Sequence, residues 1–153
     1  MADQPAAGEE GLIMTLFNYK FAHAAILVSD LERSKEWYAR AVGWEHEFTL
    51  DFDESLGKAN KYGTKGRISM GKFGGVPLEF VQMEVSLERK ELSPHYGIFM
   101  CSVHTADLKP VLKYLEEQNI PVTRKMNVGR GALIVLTDPD GQEIGILGPP
   151  LEL

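Results

Sequence analysis

The chain has 153 residues, 44% hydrophobic and 25% charged, the composition of one ordinary globular domain that can bury its core without staples. Its 16 basic and 22 acidic residues leave a formal charge of −6 with no basic stripe, which argues against nucleic acid as a main partner. Cys101 is the only cysteine and no apolar run approaches membrane-spanning length, so an intrachain disulfide is excluded and a cytoplasmic protein without a membrane partner is expected.

Residues 1–11 are polar and acidic, without the basic start and apolar segment of a signal peptide, and the reading is a disordered N-terminal tail over 1–16 followed by one domain over 17–150. Phe21 to Val28 is short and almost wholly apolar, as a strand buried on both faces should be, and only His23 interrupts it. Ser29 and Glu32 have the spacing of a capping box, and Leu31, Trp37, Tyr38, Ala41 and Val42 fall on one helical face. Gly43 supplies a left-handed stop. Alternation puts Phe21, His23, Ala25 and Leu27 on one face of the strand and small apolar residues on the face that receives the helix. His23 therefore points away from the helix.

Trp44 to Leu50 alternates enough for a second strand, and Asp51 to Gly66 is a long connection carrying Lys58, Lys61, Tyr62 and Lys65. Such a loop either closes over an anionic ligand or is a solvated link. Arg67 to Phe73 and Val76 to Met83 read as two strands joined by a Gly74-Gly75 hairpin turn. Leu78 and Phe80 suit the helix side, which leaves Glu79, Val81 and Met83 on the side of His23. A carboxylate in such company is costly to bury alone, so it needs a metal, a proton, or a positive partner such as Arg67.

After a polar link over 86–94 the plan repeats. Ile98 to Val103 reads as a strand, Asp107 as the cap of a helix with Pro110 in its first turn, and Leu108, Val111, Leu112 and Leu115 as that helix's apolar face. Pro121 to Met126, Gly131 to Thr137 and Gln142 to Leu147 supply three more strands, the last two joined by Asp138-Pro-Asp-Gly141. Asp30-Leu31 recurs as Asp107-Leu108, a weak internal duplication. The fold class is α+β: two βαβββ modules, one over 20–84 and the other over 95–148.

The pattern His23-(x)6-Asp30-Leu31-(x)5-Trp37-Tyr38-(x)4-Gly43-Trp44 resembles the first module of the vicinal oxygen chelate superfamily, which includes glyoxalase I, methylmalonyl-CoA epimerase, extradiol dioxygenases and bleomycin-resistance proteins. The resemblance implies paired modules whose sheets form an open cup, a homodimer, and a metal site with one ligand from the first and one from the fourth strand of each module. In module one those positions are His23 and Glu79. In module two they are Ile98 or Met100, and Gly145, which leaves two ligands missing. Glu143 (about 7 Å along the strand from Gly145) and His95 are the neighbours that would have to rebuild the site. The expectation is therefore no cofactor, with His23 and Glu79 as the donors should a divalent metal bind.

Without the metal, Glu79 serves as a base, with His23 holding it or shuttling its proton and Arg67 anchoring an oxyanion. Ser69, Tyr62, Ile98, Met100 and Gly145 are the candidate substrate contacts. The plainer account of His23, Glu79 and Arg67 is a buried polar network that satisfies itself. Two functions follow: a lyase, isomerase or cyclase acting beside a carbonyl of a small organic molecule, or a metal-free protein that sequesters a drug or metabolite, as bleomycin-resistance proteins do.

Overall fold

The computed structural model describes residues 22–53, 65–85 and 100–152. The expected tail over 1–16, most of the lysine-bearing loop and the polar link over 86–94 lie outside these residues.

Module one runs β1 (Ala24–Leu27), α1 (Leu31–Val42), β2 (Glu45–Phe52), β3 (Gly66–Phe73) and β4 (Val76–Met83). Module two runs β5 (Met100–His104), α2 (Lys109–Glu117), β6 (Arg124–Val128), β7 (Gly131–Thr137) and β8 (Glu143–Gly148). Each makes an open four-stranded sheet, ordered β1-β4-β3-β2 and β5-β8-β7-β6, with its first strand parallel to its last. This is the paired βαβββ plan expected from the sequence. The Gly74-Gly75 turn sits at φ 57° and 80°, the doubly positive geometry that a two-residue hairpin needs and that side chains resist.

Helix α1 begins differently from expectation. Asp30, not Ser29, is the N-cap, its Oδ1 accepting the Arg33 amide at 2.9 Å. Glu32 turns instead to Lys35 and Arg67. The helix ends at Gly43 (φ 68°), where the Trp44 amide reaches back to the Tyr38 carbonyl at 3.1 Å. In α2 the cap position is Leu108, with no side-chain cap, although Asp107 Oδ1 accepts the Lys109 amide at 2.9 Å from one residue further out.

The helix-facing sides of the sheets carry the core. Leu31, Tyr38, Trp44, Phe73, Leu78 and Phe80 pack together in module one, with Ile144 of module two joining them. Tyr38 and Trp44 stack on Phe80 with ring centroids 4.5 and 4.9 Å away. Ala132, Ile134, Leu136 and Ile146 pack with Leu108 and Leu115 in module two, and Ala41 of α1 is buried there as well. Helix α1 thus serves both cores.

The opposite faces are open in part: Leu27, Phe48, Leu50 and Leu147 are exposed, while Val81, Val135 and Gly145 are covered. The expectation that the first strand is buried on both sides is corrected here: β1 is an edge strand, and Ala25 and Leu27 are exposed. Its apolar run reflects a face that a cup lines, not one covered by a second layer within these residues.

A polar latch ties the modules together. Tyr38 donates to Asp138 Oδ2 at 2.9 Å in a buried site, while Asp138 Oδ1 takes the amides of Asp140 and Gln142. Asp140 in turn accepts from the amide and hydroxyl of Ser29 and pairs with Arg33 at 3.3 Å. Burial pushes the Asp138 carboxyl above the usual carboxylate range and the Tyr38 phenol far above its own.

Removing the Tyr38 hydroxyl leaves a buried carboxylate one partner short, so Tyr38→Phe should cost about 1–3 kcal/mol in urea denaturation. Because the folded state holds the Asp138 proton more tightly than the unfolded chain, this group's contribution to stability is fullest at acid pH and falls as pH rises through its raised folded pKa. Asp138→Asn removes that titration, so the stability of the wild type relative to this variant should be lower near pH 7 than near pH 4. A flat or rising difference contradicts the assignment.

Candidate functional site

Strand register decides which side chains share the open face of module one. Ala25 pairs with Glu79 in the parallel β1–β4 ladder, so His23, two residues earlier, lies on the same face. In the antiparallel β3–β4 ladder Met70 stands opposite Glu79 and Ile68 opposite Val81. The result is a His23 imidazole whose Nε2 is 3.6 Å from Glu79 Oε1, with the histidine side chain 45% and the glutamate 14% exposed. That separation is too long for a hydrogen bond, so the two groups attract without saturating each other. Leu27, Phe48 and Leu50 are exposed on the same face, which sets the pair beside an apolar surface, while Lys72 and Glu45 lie at the far end of the face.

The same register removes Arg67 and Ser69 from that face. Arg67 pairs with Gln82 and Ser69 with Phe80, both on the helix side. The Arg67 guanidinium meets Glu32 and Asp51, each at 3.3 Å, and gives nothing to Glu79. Ser69 is fully buried, with its hydroxyl 2.9 Å from that of Thr49. The expected oxyanion anchor and substrate contact are therefore structural residues of the opposite face, and the self-satisfied network of His23, Glu79 and Arg67 does not form.

Module two supplies a second wall. Glu143, Gly145 and Leu147 of β8 share a face with Met100, Ser102 and His104 of β5. Gly145 is closely covered: a Cβ there would stand 2.6 Å from both Met100 Sδ and Ser102 Oγ. Met100 and Gly145 are thus brought together as expected. Tyr62, Ile98 and His95 lie outside the described residues. Cys101 faces the other way and packs against the module-one core, where burial raises its thiol pKa.

A divalent ion fits this donor set poorly. Module one offers an imidazole and a carboxylate, but the expected ligand positions of module two that are described hold a thioether and a glycine, and Glu143 is bound to Arg124 at 2.6 Å. Among the described residues no three His, Cys, Asp or Glu side chains converge.

Arg124 is the residue that sequence reasoning passed over. It pairs with Val135, which pairs with Gly145, which pairs with Ser102, so one row crosses all four strands on the open face. Alternation from Met126 held the signal.

Residues 20–146 match the sequence model of the Glyoxalase/Bleomycin resistance protein/Dioxygenase superfamily, and the chain belongs to that superfamily. No curated protein matches it significantly in sequence. Among solved structures it resembles a glyoxalase family protein from Bacillus cereus, at 14% identity over 87% of this chain and 97% of that one (TM-score 0.69). It also resembles a glyoxylase/bleomycin resistance protein/dioxygenase domain from a Frankia species, at 14% identity over 88% and 95% (TM-score 0.67). A third is the trypanothione-dependent glyoxalase I of Leishmania major, at 21% identity over 86% and 87% (TM-score 0.60). Likeness at these identities is likeness of fold.

The tight cover over Gly145 makes a direct prediction. Gly145→Ala should destabilise the protein by about 1–3 kcal/mol through overpacking. Adding Met100→Ala should restore part of the loss, so thermal denaturation of the four proteins in the cycle should show coupling. Strict additivity would mean that the thioether does not fill this seat.

Proposed function

We propose that the protein binds a small carbonyl-containing organic molecule against the open face of module one and moves a proton at the carbon beside that carbonyl. The close approach of His23 to Glu79 beside the exposed Leu27, Phe48 and Leu50 carries this reading. Glu79 is the base. Its side chain is mostly covered, with Ala25 and Met70 as its neighbours across the ladders, and His23 leaves its lone pairs available. His23 stabilises the charge that develops on the pair or returns the proton elsewhere on the substrate. Lyase, isomerase and cyclase outcomes all begin with that step, and the substrate's leaving groups decide among them.

The donor chemistry of Met100 and Gly145 supports a reaction that does not rely on a four-ligand metal. Purified protein should therefore hold well under one equivalent of zinc, nickel, iron or manganese by elemental analysis. A full equivalent that disappears in His23→Ala would overturn this part of the reading. The exposed apolar residues of the open faces support a homodimer, and no helix of the described residues is long and apolar enough to cross a membrane. The lone cysteine supports a cytoplasmic setting, and the charge supports no nucleic-acid partner.

One observation favours a second reading, sequestration without turnover: Leu27, Phe48 and Leu50 on module one and Leu147 on module two stand exposed, an apolar surface for a ligand. Solvent deuterium exchange separates the two. A panel of carbon acids adjacent to carbonyls should contain a compound whose exchange the wild type accelerates, and Glu79→Gln should slow that exchange by roughly 10²–10⁴-fold while the fold is kept. Exchange at equal rates in wild type and variant would assign the protein to binding.

A further inference from the structure

We propose that Arg124 is the anchor for an anionic group of the ligand, with Glu143 as the counter-ion that the ligand displaces, so that the substrate class is a small organic acid. The proposal rests on the preceding reading only in placing a ligand against the open faces. Arg124 is, among the described residues, the only arginine on the open face of either sheet. Arg33 and Arg40 belong to α1, Arg67 lies on the helix side of its sheet, and Arg130 lies in the turn after β6. The lysine on the open face of module one, Lys72, is engaged by Glu47 at 2.9 Å.

Arg124 is placed differently from an ordinary surface cation. It heads the row that runs through Val135 and Gly145 to Ser102, so the covered glycine seat and the guanidinium share one face. Its side chain is half exposed, and the single hydrogen bond it makes among the described residues is from one Nη to Glu143 Oε2 at 2.6 Å. A guanidinium presents five donors in a planar fork that matches a carboxylate or phosphate bidentately. One contact to Glu143 leaves that fork largely unspent. A half-exposed pair of this kind adds little to stability, so an incoming anion can displace the glutamate at little cost to the fold. The glutamate keeps the cation neutralised and oriented until an incoming anion takes its place.

The test uses the full-length protein and named probes: pyruvate, 2-oxobutyrate and phenylpyruvate, each beside its methyl ester, titrated by 1H–15N NMR. The acids should perturb the amides around Val135 and Gly145 and bind about tenfold more tightly than the esters. Arg124→Met, which keeps the length of the stem, should abolish that preference. Glu143→Gln, which removes the competitor, should tighten the acids several-fold and leave the esters unchanged. The proposal is overturned if acids and esters bind alike, if neither binds, or if the preference survives in folded Arg124→Met. A salt bridge with only a structural role would make both variants less stable without moving the acid-to-ester ratio. Deuterium exchange in the same phenylpyruvate samples separates this proposal from the acid–base reading. If the preference depends on Arg124 while exchange does not depend on Glu79, the anchor stands and the base assignment falls. The opposite pattern does the reverse.

Discussion

The parallel register of β1 against β4 is the constraint on which the functional reading depends. By pairing Ala25 with Glu79 it sets His23 and Glu79 on one face, and it commits Ala24 and Ile26 to the helix. A slip of one residue in β1 would turn the histidine under α1, and the same slip in β4 would turn the carboxylate into the Tyr38–Phe80 stack, where a charge has no partner. The aromatic core enforces the register, because Leu78 and Phe80 must face inward for Tyr38 and Trp44 to pack. Functional placement is thus a by-product of core packing.

The modules are joined through one helix and one polar latch. Helix α1 contributes to both cores, and the turn of module two grips its first half through Tyr38, Ser29 and Arg33. Every oxygen of the Asp138 carboxylate has a donor, which is the condition under which a buried polar group can be kept at modest cost. Ser34, fully buried on the same helix with its hydroxyl unpartnered among the described residues, shows what the fold tolerates where that condition is not met.

Much of this was legible in the sequence, some of it more than was read. The paired βαβββ plan, the hairpin at Gly74-Gly75 and the shared face of His23 and Glu79 follow from periodicity and turn chemistry. The position of Arg67 was also available: a two-residue turn fixes the ladder, and counting outward from Phe73 opposite Val76 puts Met70 opposite Glu79 and Arg67 opposite Gln82. Charge alone points to Arg67 as the partner of Glu79, and register rules it out. Other features had no local signal. Ser29 has the spacing of a cap, yet its partner Asp140 is 111 residues away, and Asp30 takes the cap because a carboxylate one residue later is geometrically as good. Tyr38 reads as one more apolar helix position, since nothing nearby announces Asp138.

The central claim is that His23 and Glu79 act as one unit on a bound carbon acid. A double-mutant cycle tests it most directly, comparing wild type, His23→Ala, Glu79→Gln and the double variant in solvent exchange at the carbon. If the residues work together, the double variant should be about as slow as the slower single variant, because the second substitution has nothing left to remove. Effects that multiply across the cycle, in four proteins with the same fold, would show that the two residues act independently and would contradict the account.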